Sequence, residues 1–232
     1  MPTPHYAAPS SACLSLPGFK PVDEYPIRSP LMAADFLAPL VRGKNFCEIG
    51  TRNGDIMSCV NHFAATVTAI ELDEVYCKKL RERGFNVFCK PFESLTPKEF
   101  AHCDVYFWWP MDARSQNEAW LRIVRKAHRE LQKPARAIVA HDTHYKFDMQ
   151  MLPLLATRYD GNITRIFFDE HDPTAPIDGP APSYKHTFVD RPGRWGVFHM
   201  ADFELGPGVG GGGHGKGGSG KGRGRGLGRG LR

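Results

Sequence analysis

The regular alternation of short apolar runs with amphipathic stretches between residues 29 and 205 constrains this chain more than any other feature. Asn45–Ile49 (NFCEI), Thr66–Leu72 (TVTAIEL), Phe85–Cys89, Asp104–Trp109 (DVYFWW) and Arg136–Ala140 (RAIVA) read as buried strands. Between them, Asp55–Phe63, Glu74–Arg83, Gln116–Leu131 and Phe147–Tyr159 carry helical spacing. Ser29-Pro30 places a capping hydroxyl and a proline at the start of a further helix (LMAADFLAPLV), and Gly84 is placed to end another. Ile163–Phe168 and Trp195–Met200 are the last two strands. Only a long loop separates them, so they are expected to pair antiparallel. Strands that alternate with helices bury a mostly parallel sheet between two helical layers. The expected class is therefore α/β, with a mostly parallel seven-stranded sheet, helices on both faces and an antiparallel last strand.

Around this domain, 29–205, lie two segments of different composition. Residues 1–28 are Pro-rich and aperiodic, which predicts an extended arm. Residues 206–232 hold 15 glycines, two lysines, four arginines and no acid. They cannot bury enough apolar surface to offset the entropy of ordering, so a disordered tail is expected. The tail contributes +6 to a net charge of +5, leaving 5 − 6 = −1 for the rest. The domain itself therefore carries no electrostatic footprint for nucleic acid. No apolar run approaches the length of a membrane span, so no membrane partner is expected. The N-terminus lacks a basic stretch followed by an unbroken apolar one, so a secretory signal is not expected. Six cysteines, at 13, 47, 59, 77, 89 and 103, form no C-x-x-C pair, which argues against zinc. They read as reduced, buried thiols in a cytoplasmic protein.

Ligands of open α/β sheets bind beyond the carboxyl ends of the strands, and chemistry is sought there. The first strand ends in Glu48-Ile49-Gly50-Thr51-Arg52-Asn53-Gly54. Its two glycines permit a tight turn and close approach of a ligand, and the dinucleotide fingerprint G-x-G-x-x-G is absent. An acid just before the turn suits a cationic or amino-bearing group better than a phosphate. The second strand ends in Glu71, where a carboxylate can accept ribose hydroxyls. Trp108 and Trp109 end the fourth strand on opposite faces, one for the core and the other for a pocket wall or a cation. The fifth strand ends in His141-Asp142-Thr143-His144, a cluster suited to acid–base work.

On the glycine loop, on Glu71 and on the final antiparallel strand pair, the chain resembles the class I (Rossmann-like) S-adenosylmethionine-dependent methyltransferases over about residues 29–203. The resemblance implies S-adenosylmethionine as cofactor. Glu48, Gly50, Thr51 and Gly54 then hold its methionine end and Glu71 its ribose. Phe92 would pack on the adenine, Glu93 would accept its amino group, and Trp108 would wall the pocket. Pro91 stands where the family often has an acid. His141 or His144 is the candidate general base, oriented by Asp142. The metal-dependent members of the family carry further acids where this chain has Trp108 and Thr143, so no catalytic metal is expected.

The expected activity is methyl transfer to a small-molecule acceptor, with the arm and loop 171–194 as covering segments. Three other readings compete. A nicotinamide enzyme lacks its fingerprint here, and an aminopropyl transferase lacks the paired acids around the fourth strand. An RNA- or protein-associated methyltransferase, or an inactive scaffold, would use the basic tail for weak nucleic-acid contact.

Overall fold

In the computed structural model, residues 11–24, 27–109, 114–142, 155–169 and 195–207 are described. Seven strands form one sheet: β1 (Asn45–Ile49), β2 (Thr66–Glu71), β3 (Asn86–Cys89), β4 (Val105–Trp108), β5 (Ala135–Asp142), β6 (Asn162–Asp169) and β7 (Trp195–Leu205). Their order across the sheet is β3-β2-β1-β4-β5-β7-β6. The first five are parallel, and β7 inserts antiparallel between β5 and β6. This matches the expected class and the expected antiparallel pair. The chain reverses direction of travel across the sheet at β1, so the ends of β1 and β4 flank the switch point where a ligand crevice opens.

Alternation along each strand divides the core in two. One face of the sheet packs Phe46, Val67, Phe107, Ile138 and Met200 under α1 (Pro30–Val41), α2 (Asp55–Val60) and α3 (Glu74–Glu82). The other packs Tyr106, Trp108, Val139 and Phe203 under α4 (Pro97–His102) and α5 (Arg114–Glu130). Trp120, Tyr106, Phe46 and Phe107 are fully buried. Each such side chain contributes about 1.5–3 kcal/mol of transfer free energy.

Local chemistry explains the helix starts. Ser29 accepts a hydrogen bond from the Met32 N–H at 3.2 Å, and Pro30 opens α1 as the sequence predicts. Asp73 caps α3 through Val75 and Tyr76. The helix α4 was not anticipated, although Thr96-Pro97-Lys98-Glu99 spells a reciprocal capping box, which the structure closes. The described residues of the arm are more regular than an extended segment. A single helical turn, Ser11–Leu14, and a two-stranded ribbon, Asp23–Glu24 with Ile27–Arg28, occupy it. Leu16, Phe19 and Val22 pack on the first core. Of the helix expected at 147–159 only 155–159 is described, and the loop 171–194 and the tail beyond 207 lie outside the described residues.

The reading of six free thiols is overturned. Cys13 pairs with Cys59, Cys47 with Cys103 and Cys77 with Cys89, and no cysteine is left over. The Cα separations, 4.7, 5.8 and 5.8 Å, lie in the range a disulfide spans. Sequence spacing misled here because each partner comes from a different element. The first bridge joins the arm to α2, the second joins β1 to the residue that ends α4, and the third joins α3 to β3. Burial itself holds, since all but Cys89 are fully buried.

Candidate functional site

At the carboxyl end of β1 the chain turns through Gly50, whose φ is +67°, and Gly54, whose φ is +75°. The two glycines serve different ends. A Cβ on Gly50 would meet nothing within 4 Å, so that position is open to a ligand. A Cβ on Gly54 would lie 2.7 Å from Leu80 Cδ2 and 3.2 Å from Phe85, so that position fixes packing against α3. Between them, Arg52 also takes a positive φ of 51°, a conformation uncommon in side chains of its kind.

Glu71 closes this loop from the end of β2. It is buried, and its carboxylate accepts from the Arg52 N–H at 3.0 Å, the Leu72 N–H at 2.7 Å and the Asp73 N–H at 3.0 Å. A carboxylate has about four acceptor positions. The three backbone donors therefore leave room for about one further donor, where the sequence reading allowed two ribose hydroxyls. Glu71 thus pins the glycine loop to β2 and lines the cavity at the same time.

That cavity measures about 450 Å³. Gly50, Glu71, Phe92 and Glu93 line it, four of the residues assigned from sequence. Ile49, Ile70 and Ala119 supply apolar wall, and Lys90 joins Glu93 at its rim. Sequence reasoning missed Lys90, although it follows β3 directly. Its ammonium pairs with Glu99 at 2.7 Å and holds that carboxyl well down, at about 2. Trp108 stands behind the cavity, packed on Phe92 (ring centroids 5.7 Å) and Trp120 (5.1 Å). Trp109 faces the other side of the sheet and lies beneath the Arg28 guanidinium, 4.9 Å from its centre. Trp109 thus meets a cation, as expected of one of the pair, while Trp108, assigned to the pocket from sequence, is buried and does not itself line the cavity.

Glu48 and Thr51 lie behind the loop and are both buried. Burial, reinforced by the carboxylates of Asp55 and Glu71, pushes Glu48 up to about 8, with the Thr51 side chain and the Met57 backbone offsetting part of the shift. Glu48 Oε2 and Thr51 Oγ1 nevertheless have no hydrogen-bond partner of adequate geometry. Buried polar atoms are nearly always paired, so an orphaned acid and hydroxyl at a glycine loop stand out, and neither residue lines the cavity itself.

His141 is buried at the end of β5, and burial alone pushes it down to about 4. It remains neutral at physiological pH, a hydrogen-bonding group and only a weak base. The Asp142 side chain and the whole of His144 lie outside the described residues. No cluster of three or more metal-ligating side chains occurs among the described residues.

The architecture has clear counterparts among solved structures. A Pyrococcus horikoshii protein described as a candidate RNA methyltransferase superposes with a TM-score of 0.51, at 16% identity, over 85% of this chain and 94% of that one. The chain has the Rossmann-like methyltransferase fold. The tRNA (m1A58) methyltransferase of Aquifex aeolicus is also similar (TM-score 0.49, 15% identity, 79% and 72% covered). So is a precorrin-6y C5,15-methyltransferase from Geobacter metallireducens (0.48, 10%, 76% and 88%). No protein-family profile and no curated protein sequence matches the chain. The methyltransferase fold accounts for the sheet order, the inserted β7 and the position of the cavity beyond β1 and β2, and at such identities the likeness is one of fold.

Proposed function

We propose that this chain binds S-adenosylmethionine across the ends of β1, β2 and β3 and transfers its methyl group in line to a small-molecule acceptor. The observation that carries the reading is the juxtaposition of Glu71, at the cavity wall, with the orphaned Glu48–Thr51 pair behind the glycine loop. One end suits a ribose and the other an amino group, and an apolar slot between Ile70 and Phe92 suits a purine. When bound, the cofactor supplies a methyl group already activated by its sulfonium, so the protein chiefly positions and desolvates. Glu71 would hold one ribose hydroxyl, and Glu48 with Thr51 would take the amino group. Phe92, backed by Trp108, would cover the base, and Glu93 at the rim would meet its exocyclic amine. His141, neutral and buried, would stand on the acceptor side of the same sheet edge, with Asp142 and His144 beside it in sequence.

A second reading, in which the acceptor is RNA or a protein, draws on the concentration of +6 charge in the tail. For the setting of the protein, the three bridges favour an oxidising compartment. The cytoplasmic expectation rested on reduced thiols and loses that support. No helix among the described residues is long and apolar enough to cross a membrane.

Calorimetric titration tests the cofactor. S-adenosylmethionine and S-adenosylhomocysteine should bind stoichiometrically at micromolar concentration, NADH should not, and Glu71→Ala should weaken binding at least tenfold. Absence of binding to the folded chain would sink the proposal. The same titrations on residues 1–205 should be unchanged, and a lost acceptor activity in that truncated chain would favour the second reading.

A further inference from the structure

Across β6, β7 and β5, the residues Arg165, His199 and His141 are consecutive register partners. Their side chains therefore share one face of the sheet, with neighbouring Cβ atoms about 4.5–5.5 Å apart. It is the face that carries Ile49 and Trp108, and His141 lies two residues beyond Val139, the partner of Trp108. The row thus sits at the ligand edge, beyond the cavity wall that Trp108 backs.

His141 is 4% exposed and His199 3%. Each has an orphaned ring nitrogen, Nε2 of His141 and Nδ1 of His199. Two such atoms in one row are uncommon, because buried polar groups without partners are costly. Arg165 settles the state of one of them. Its Nε donates to His199 Nε2 at 3.2 Å. A guanidinium has no acceptor, so Nε2 must be the acceptor and the proton of the neutral ring lies on Nδ1. Burial and the Arg165 charge keep His199 neutral, at about 3. The row therefore presents a fixed N–H donor at His199 beside an unpaired ring nitrogen of His141, which accepts when the neutral His141 ring carries its proton on Nδ1. Ile163, Val139 and Ala201 continue the same face as apolar surface.

We propose that His199 and His141 form an uncharged two-histidine clamp for a hydroxyl group of the acceptor, with His199 Nδ1–H donating to the oxygen and His141 Nε2 accepting its O–H. A hydroxyl is the smallest group that is donor and acceptor at one atom, which is what the pair leaves unmet. A carboxylate would lack the donor, and an ammonium would lack the acceptor. The identity of the occupant as methyl acceptor rests on the methyltransferase reading above. The hydroxyl chemistry of the clamp does not. His199 is a positioning and binding residue that the sequence did not single out.

Long-range ¹H–¹⁵N spectra of the imidazole rings in the full chain test this, with phenol as probe and anisole, which lacks the O–H, as control. His199 should show the Nδ1–H tautomer without any probe. Millimolar phenol should shift the His199 Nδ1 and His141 Nε2 resonances, and anisole should not. His199→Asn, whose amide nitrogen falls near Nδ1, should keep phenol affinity within about threefold, whereas His199→Gln should lose at least tenfold. An Nε2–H tautomer of His199 in the unmodified chain, equal responses to phenol and anisole, or no response because water alone fills the gap would each overturn the clamp. Cofactor titration on the same sample separates the two proposals. A phenol response without cofactor binding supports the clamp and removes its assignment to a methyl acceptor, and cofactor binding without a phenol response sinks the clamp alone.

Discussion

The two ends of the ligand edge solve one problem in opposite ways. Behind the glycine loop, Glu48 stays uncharged by keeping a proton at neutral pH, and on the β5–β7 row His141 and His199 stay uncharged by refusing one. Burial is the main cause in all three cases, because low polarity penalises whichever form carries charge. The consequence for ligands differs. An acid held protonated can release its proton when a cation arrives and become the counter-ion. A neutral imidazole pair, with an arginine already seated on one ring, has no reason to attract charge and every reason to accept a neutral polar group. The ends differ in covalent support too. All three bridges lie between residues 13 and 103, whereas β5, β6 and β7 hold no cysteine.

That contrast can be broken most forcefully by reduction. Each bridge is expected to contribute about 2–4 kcal/mol. Treatment with a reductant should lower the melting temperature by 10 °C or more, and hydrogen exchange should quicken first in the loop region and α2. Uniform loss of protection across β5–β7 at the same reductant concentration would show that the two ends are one unit. A smaller effect comes from Gly54→Ala. Its Cβ would meet Leu80 at 2.7 Å in a left-handed backbone, at a cost of roughly 2–4 kcal/mol in denaturant unfolding. The His199 tautomer should be unaffected, and a change there would couple the two ends.

The finest probe is pH. Glu48 has a folded value raised from 4.5 to about 8. Its stabilising contribution is therefore full below about 4.5 and lost as pH rises through about 8, with a slope of up to about 1.4 kcal/mol per pH unit between. His141 has a folded value depressed from 6.5 to about 4, so its contribution is full above 6.5 and lost as pH falls toward 4. The two slopes oppose each other between pH 4.5 and 6.5, and only that of Glu48 remains above. Glu48→Gln should flatten the decline above pH 6.5 and steepen the acid loss, whereas His141→Phe should lessen the acid loss and leave the decline above pH 6.5 unchanged. Denaturation midpoints measured across pH 4 to 9 would show both. Parallel profiles for the two variants would remove the distinction drawn here.

Strand periodicity made β1 to β7 legible because each run is apolar and ends at a glycine, proline or polar residue. Glu71 and the glycine loop were legible because their chemistry is local to two strand ends. The bridges were not, since the pairing of Cys47 with Cys103 exists only once β1 and β4 are neighbours. His199 was hidden for the same reason. Within Phe198-His199-Met200 it reads as one polar residue on an alternating strand, and only the register against His141 and Arg165 gives it a role. Glu71 shows the converse case. Its position was evident, but its engagement with three backbone N–H groups depends on the Arg52 turn, which no residue pattern announces.

The bridges overlap in a particular order, with Cys47 falling inside the Cys13–Cys59 span and Cys77–Cys89 inside the Cys47–Cys103 span. Every peptide bond from 13 to 103 is therefore spanned by at least one other covalent path. A single proteolytic nick anywhere in that stretch leaves the pieces joined, and the cut molecule migrates as one band until thiols are added. One nick past residue 103 separates the protein outright. The half that would hold the cofactor can thus be cut once and stay whole, while the half that would meet the acceptor survives only as an intact chain.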